Sequence, residues 1–178
     1  WSFDFIGSEF DFGDYPDFNN IPFDADHQGN SGFTAEDIAA GIESWLEETG
    51  APDIVLFSSP GGNDALQNFP YNGVVDDIEY IINVLQASNP NVTIIIEQMA
   101  PTHSDEMTAE LTNYINDLHQ DMLLIASNKT TSTSEIIAID MFTGFTDAML
   151  ADDVHYNELG AKFIADKYYA VLVNLLQG

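Results

Sequence analysis

The stretch Pro52-Asp-Ile-Val-Leu-Phe57-Ser-Ser-Pro-Gly-Gly-Asn-Asp64 indicates the fold. Its short apolar run ends in a glycine-rich turn and begins just after a proline. A continuous apolar run of this length is typical of a strand that is covered on both faces, as in a parallel sheet. The sequence therefore predicts a buried strand over 53–57, followed by a sharp turn.

Helical and strand-like segments alternate around this stretch. Thr34 and Asp37 form a capping pair at the start of a helix that Thr49-Gly50 ends. This alternation favours an α/β fold, a three-layer α/β/α sandwich with a central, mostly parallel sheet, in one domain spanning 1–178. Further strands are predicted over 93–96 and 136–139, and further helices around 78–85, 111–125 and 158–176, the last offering Leu159, Phe163 and Leu172 for burial.

The composition excludes several classes of function. The 178 residues include 30 acidic and 3 basic side chains, a formal net charge of −27, and no cysteine. Such a charge opposes binding to nucleic acid or to an anionic membrane surface, while neutral or cationic partners remain compatible with it. Without cysteine there is no disulfide, thiolate nucleophile or cysteine zinc site, and we expect neither a metal nor a cofactor. No apolar run approaches the roughly 18 residues of a membrane span.

The first 33 residues differ from the rest of the chain. Phe3-Asp-Phe-Ile6 predicts a short strand, and a long acidic loop follows it. The acidic run could offer oxygen ligands to calcium, but it lacks the twelve-residue spacing of a calcium loop. A solvated loop is the preferred interpretation of Asp11, Asp14, Asp17, Asp24 and Asp26.

Three loops at strand-to-helix junctions carry candidate site residues. Gly32 precedes the capped helix and offers a backbone N–H, and Asn63 offers a side-chain N–H after the first buried strand. Asp152 stands three residues before His155, a spacing that lets the carboxylate accept the imidazole Nδ1–H. Each motif alone also fits an interpretation without function. Asn63 fits an Asx-capped turn, Gly32 fits a turn leading into a helix, and the spacing of Asp152 and His155 fits a chance occurrence. Functional sites of open parallel sheets lie beyond the carboxyl ends of the strands, which favours a joint site.

The other histidines carry weaker signals. His103 is predicted to be solvated, with lining of the site as the alternative, and His119 is predicted to be solvated or to form a helix cap. His27 borders the site if Gly32 does.

The order of these motifs resembles that of the SGNH (GDSL-like) hydrolase superfamily. The segments Phe3 to Ser8, Asp24 to Thr34 and Pro52 to Leu56 are most similar to carbohydrate esterase family 3, which acts on acetylated sugars. The resemblance implies a flavodoxin-like SGNH hydrolase fold without cofactor. It also implies oxyanion-hole roles for Gly32 and Asn63, a general-base role for His155 and an orienting role for Asp152.

The nucleophile of that family is missing, because the chain contains no Gly-Asp-Ser motif. In one interpretation Ile6-Gly7-Ser8 replaces the motif and Ser8 attacks. In the preferred one, Phe3 to Ser8 is the second strand of the family and the nucleophile strand preceded Trp1. The fold would then lack its first, central strand, and a strand-completing dimer or a bound upstream peptide would be expected to pair the exposed amides.

The sequence thus predicts a serine ester hydrolase that removes acetyl or other short acyl groups from carbohydrate. Its expected partner is a small acyl ester or acetylated carbohydrate, and its acidic surface suggests a secreted or extracellular protein. The alternatives are a truncated member of the same fold, a catalytically inactive member that binds carbohydrate, and a flavodoxin-like ligand-binding domain. The last is disfavoured, because no glycine-rich phosphate loop opens a helix.

Overall fold

A computed structural model describes residues 3–177 of the chain. Its strands and helices, in chain order, are β1 (Glu9–Phe10), β2 (Asp26–His27), α1 (Ala35–Thr49), β3 (Ile54–Phe57), α2 (Gly62–Gln67), α3 (Tyr71–Ser88), β4 (Thr93–Gln98), α4 (Ala109–Lys129), β5 (Ile136–Asp140) and α5 (Glu158–Gln177). A short 3₁₀ helix, Asp147–Met149, lies between β5 and α5.

The central sheet is parallel, with the strand order β3-β4-β5. Ile54 is in register with Thr93, and Ile94 is in register with Ile136. The predicted parallel strands are therefore confirmed, each within two residues of its expected bounds. A separate antiparallel pair, β1 with β2, lies in the acidic N-terminal segment.

The side chains of β4 build a core on both faces of the sheet. Ile94 and Ile96 are fully buried in the cluster formed with α1, α3 and α4. Ile95 points to the opposite face, where it is buried with residues that include Tyr168 of α5. Because successive side chains of a strand point to opposite faces, β4 contacts helices on both sides of the sheet. The predicted three-layer α/β/α architecture is therefore confirmed.

The predicted start of α1 is also confirmed in detail. The Thr34 hydroxyl accepts a hydrogen bond from the Asp37 N–H at 3.3 Å, and an Asp37 carboxylate oxygen accepts one from the Thr34 N–H at 2.9 Å. This reciprocal capping box satisfies donors that the first helical turn leaves without partners.

Three sequence predictions are wrong. Phe3 to Ile6 is not a strand, because no neighbouring strand pairs with it among residues 3–177, and the Phe5 N–H donates instead to the Asp24 carboxylate at 2.7 Å. Leu159 is 62% exposed, since it lies on the outer side of the first turn of α5. His119 is buried in α4, where its Nε2 lies 3.1 Å from the Met99 carbonyl oxygen.

Among residues 3–177, no helix combines the length and the apolar character that crossing a membrane requires.

Candidate active site

Asp152 and His155 form a hydrogen-bonded pair in the loop before α5. His155 Nδ1 lies 2.9 Å from Asp152 Oδ2, while the backbone N–H groups of His155 and Val154 donate to Asp152 Oδ1 at 2.8 and 3.0 Å. These backbone donors, followed by the imidazole, hold the pKa of the Asp152 carboxyl at about 2. The carboxylate is therefore ionised at neutral pH and fixes the imidazole with Nδ1 inward.

The surrounding loop gives this pair a defined backbone. Leu150 and Tyr156 form an isolated antiparallel bridge, and the Ala151 N–H donates to the His155 carbonyl at 2.7 Å. Asn157 then caps α5, because its side-chain oxygen accepts from the N–H of Leu159 at 2.9 Å. The loop is thus closed at its base and continues directly into a helix, which positions His155.

A second loop, which follows β4, contacts the loop of Asp152 and His155. The sequence did not predict this contact. The His103 N–H donates to the Asp153 carbonyl at 2.8 Å, next to the Asp152–His155 pair. Ser104 donates to the Asp147 carboxylate from its backbone at 2.9 Å and from its hydroxyl at 2.6 Å, and these bonds lower the pKa of Asp147. His103 is partly exposed, and its Nε2 lies 3.7 Å from Asp147 Oδ2.

The loops that carry Gly32 and Asn63 meet each other. An Asn63 side-chain N–H donates to the carbonyl of Phe33 at 2.7 Å, and Phe33 directly follows Gly32. The next residue, Asp64, is buried and accepts the N–H of Ala35 at 2.9 Å. Gly32 has φ +80°, a left-handed conformation that suits glycine. The second amide hydrogen of Asn63 leaves this side chain able to donate to a ligand.

Glu97 of β4 holds the turn between β3 and α2. Its Oε2 accepts the Ser59 N–H at 2.8 Å, and Ser59 adopts a left-handed φ of +44°. The Glu97 side chain is 1% exposed, and burial raises its pKa. Neither residue was predicted to contribute, because nothing in the local sequence shows that a charged residue in an apolar strand reaches a turn 38 positions earlier.

Ser8 occupies a different environment. Its N–H donates to Gln28 Oε1 at 2.9 Å, and its hydroxyl accepts from Gln28 Nε2 at 3.1 Å. No hydrogen bond joins it to His155 in the described part of the chain. The structure therefore pairs Asp152 with His155 and the Gly32 loop with Asn63, but it pairs Ser8 with Gln28.

Within residues 3–177, no group of three or more histidine, aspartate or glutamate side chains is arranged to hold a metal ion. In the acidic loop, Asp11 accepts hydrogen bonds from the Tyr15 hydroxyl and from the Gly13 N–H.

No family model matches the sequence, and neither does any curated protein. Solved structures do match it. A carbohydrate esterase family 3 structure from Talaromyces cellulolyticus is 31% identical over 98% of this chain and 82% of that one, with a TM-score of 0.82. An acetyl esterase serine-to-alanine mutant with acetate ion is also 31% identical over the same shares of the two chains, with a TM-score of 0.81.

A family 3 carbohydrate esterase of Clostridium thermocellum is 26% identical over 98% of this chain and 79% of that one, with a TM-score of 0.74. These similarities extend over nearly all of the sequence and over both helix layers. The chain therefore belongs to carbohydrate esterase family 3, within the SGNH (GDSL-like) hydrolases.

Proposed function

We propose that this chain forms a single serine-esterase domain, spanning 1–178, that removes acetyl or other short acyl groups from carbohydrate. Membership of an esterase family supports ester hydrolysis as the reaction class. The observation that carries the proposal is the Asp152–His155 pair, because an imidazole fixed through Nδ1 is the arrangement of a general base.

The reaction begins with the attack of a serine hydroxyl on the acyl carbonyl carbon. His155 Nε2 accepts the hydroxyl proton as the new C–O bond forms. Asp152 stabilises the imidazolium, and the Gly32 N–H and the Asn63 amide donate to the oxyanion. The sugar hydroxyl leaves with the proton from His155, and water then hydrolyses the acyl-enzyme with His155 acting again as base.

The serine has two candidate origins. Ser8 is the candidate in this chain, and it would have to break its hydrogen bonds with Gln28 to reach His155. The other origin is a serine on a further strand at the carboxyl edge of the sheet, where the loops of Asn63 and His155 lie.

The exposed acidic surface favours a neutral acetylated carbohydrate over an anionic substrate, since the chain carries a net charge of −27. The same charge fits an extracellular protein, which we include in the proposal.

A non-catalytic, carbohydrate-binding role is the second candidate. The pairing of Ser8 with Gln28, instead of His155, is the observation that favours it.

Hydrolysis of 4-nitrophenyl acetate tests the proposal, with the parent chain compared to Ser8→Ala and His155→Ala. Loss of activity in both variants is expected if Ser8 attacks. Activity that survives Ser8→Ala but not His155→Ala assigns the serine to another segment. Ser44→Ala changes an exposed α1 serine and should leave the rate unaltered.

No hydrolysis in any form, together with saturable binding of acetylated xylan, would replace the catalytic proposal with the carbohydrate-binding one. Folding of every variant is checked by circular dichroism, so that lost activity is not confused with lost structure.

A further inference from the structure

The loop that carries His155 belongs to a continuous hydrogen-bonded unit, residues 147–157. An Asn157 side-chain N–H donates to the Ala148 carbonyl at 2.9 Å, and the Asn157 backbone N–H donates to the Met149 carbonyl at 3.0 Å. The 3₁₀ helix at the start of the unit is therefore joined to the residue that caps α5, with His155 between them. The two ends of the unit are thus fixed relative to each other.

Three hydrogen bonds attach this unit to the loop after β4. Ser104 donates to the Asp147 carboxylate from its backbone at 2.9 Å and from its hydroxyl at 2.6 Å. The His103 N–H donates to the Asp153 carbonyl at 2.8 Å. Asp147 is the first residue of the unit, and Asp153 directly follows Asp152. The attachment therefore acts at one end of the unit and next to the carboxylate that orients the imidazole.

The charge of Asp147 strengthens this attachment. The two hydrogen bonds from Ser104 lower the pKa of the Asp147 carboxyl, so it is ionised at neutral pH. Hydrogen bonds to an ionised acceptor are shorter and stronger than those between neutral groups. His103 Nδ1 accepts the Asp105 N–H at 3.3 Å, which leaves the proton of a neutral ring on Nε2, 3.7 Å from Asp147 Oδ2. The neighbours of the carboxylate therefore favour its charged form.

The Asp152–His155 pair has little packing of its own to hold it in place. The side chain of His155 is 76% exposed, and that of Asp152 is 58% exposed. A buried side chain is fixed by the atoms packed around it, whereas an exposed one follows the backbone of its loop. The position of the imidazole therefore depends on the hydrogen bonds that hold residues 147–157.

Given the proposed function, in which His155 is the general base, we propose that Ser104 and Asp147 are positioning residues for His155. Their hydrogen bonds keep the imidazole in the place and the tautomer that a general base needs. Neither side chain contacts the acyl ester, since both act through the backbone of residues 147–157. A displacement of about 1 Å caused by a remote substitution can lower the rate of an enzyme by about a hundredfold.

Amide hydrogen exchange followed by NMR tests the proposal without any need for catalysis. Asp147→Ala removes the acceptor of both Ser104 hydrogen bonds. We expect exchange at the two backbone N–H groups that donate to Asp152 to become at least about tenfold faster than in the parent chain. Exchange at Ile95, in the buried part of β4, reports opening of the whole domain and should change much less.

The tautomer of His155 gives a second measurement. At about pH 9, where imidazole is neutral, the nitrogen chemical shifts of the ring show which nitrogen carries the proton. The parent chain should carry it on Nδ1, hydrogen-bonded to Asp152. Asp147→Ala should shift the ring toward a mixture of the two tautomers. A merely structural role of Asp147 would lower the stability of the domain without changing this tautomer.

Three further variants provide a graded series and a control. Ser104→Ala removes one of the two hydrogen bonds to Asp147 and should cause the same changes to a smaller extent. Ser104→Thr keeps the hydroxyl and should behave as the parent chain does. Glu106→Ala removes an exposed carboxylate from the same loop and is the matched control for Asp147→Ala. Circular dichroism verifies the fold of each variant.

In a chain that hydrolyses 4-nitrophenyl acetate, Asp147→Ala should lower kcat by about tenfold or more and change KM little. Unchanged exchange and an unchanged tautomer in Asp147→Ala would overturn the proposal, as would equal changes in Glu106→Ala or an unaltered kcat in an active chain. A parent chain without hydrolysis, in which Asp147→Ala still shifts the tautomer, would refute the proposed function alone. The two failures are therefore distinguishable.

Discussion

Asp152 accepts three hydrogen bonds, two from backbone N–H groups and one from the imidazole of His155. Its carboxylate is stabilised mainly by the backbone of its own loop, and this holds its pKa at about 2. The folded-state pKa is depressed, so the stabilisation is complete above the ordinary value of about 3.9 and is lost as the pH falls toward 2. An NMR titration of the Asp152 side-chain carbon should show a midpoint near 2, and a midpoint near 4 would contradict the observed hydrogen bonds.

Replacing Asp152 by Asn should remove the carboxylate that orients the His155 imidazole while keeping the size of the side chain. The amide keeps the size of the side chain, but its nitrogen cannot accept the imidazole proton, so the productive tautomer of His155 is no longer favoured. We expect kcat for acetyl ester hydrolysis to fall by about a hundredfold or more, while KM changes little. Asp105→Asn, on the neighbouring loop, serves as the control for a lost surface charge. An unchanged kcat in the Asp152 variant would remove Asp152 from the mechanism.

Glu97 should make stability depend on pH in the opposite sense. Burial raises its folded-state pKa, so the unfolded chain releases the proton at lower pH than the folded chain does. The folded state therefore loses stability as the pH rises from about 4.5 toward the raised pKa. Glu97→Gln keeps an acceptor for the Ser59 N–H and has no charge, so its free energy of unfolding relative to the parent should increase over this pH range. Urea denaturation at several pH values measures this difference in the free energy of unfolding. A difference that does not change with pH would contradict the burial of a charged Glu97.

At the scale of the elements, the sequence predicted the strands well because their apolar runs are short, continuous and punctuated by turns. It failed for Phe3 to Ile6, whose alternating pattern resembles a strand but has no strand beside it among residues 3–177. A strand depends on its neighbour for hydrogen bonds, whereas a helix satisfies its own backbone. The capping box at Thr34 is local in sequence, and it was predicted correctly for that reason.

The capping box should contribute measurable stability to α1. Thr34→Ala removes the side-chain acceptor of the Asp37 N–H, and the free energy of unfolding should fall by about 1 kcal/mol. Thr146→Ala is a suitable control, because Thr146 precedes the 3₁₀ helix without making a side-chain capping hydrogen bond. Equal effects of the two substitutions in urea denaturation would show that the capping box contributes nothing.

At the scale of the whole molecule, charge repulsion opposes compactness. The chain has 3 basic and 30 acidic side chains, so most carboxylates have no opposite charge to pair with and repel one another. Raising sodium chloride from about 10 mM to 1 M shortens the Debye length from about 30 Å to 3 Å. We expect the thermal midpoint to rise by several degrees at pH 7, and by less near the isoelectric point of about 4.1. The same rise at both pH values would point to a general salt effect.

The sequence by itself determined the alternation of strands and helices, the charge of the surface and the pairing of Asp152 with His155, because each follows from residues close together in the chain. The tertiary structure decided the contacts between segments that are far apart in the sequence. It joined Asn63 to the Gly32 loop, placed Glu97 beneath Ser59 and buried His119. These contacts depend on which elements become neighbours in the packed sheet and helix layers, and no local pattern of residues carries that information.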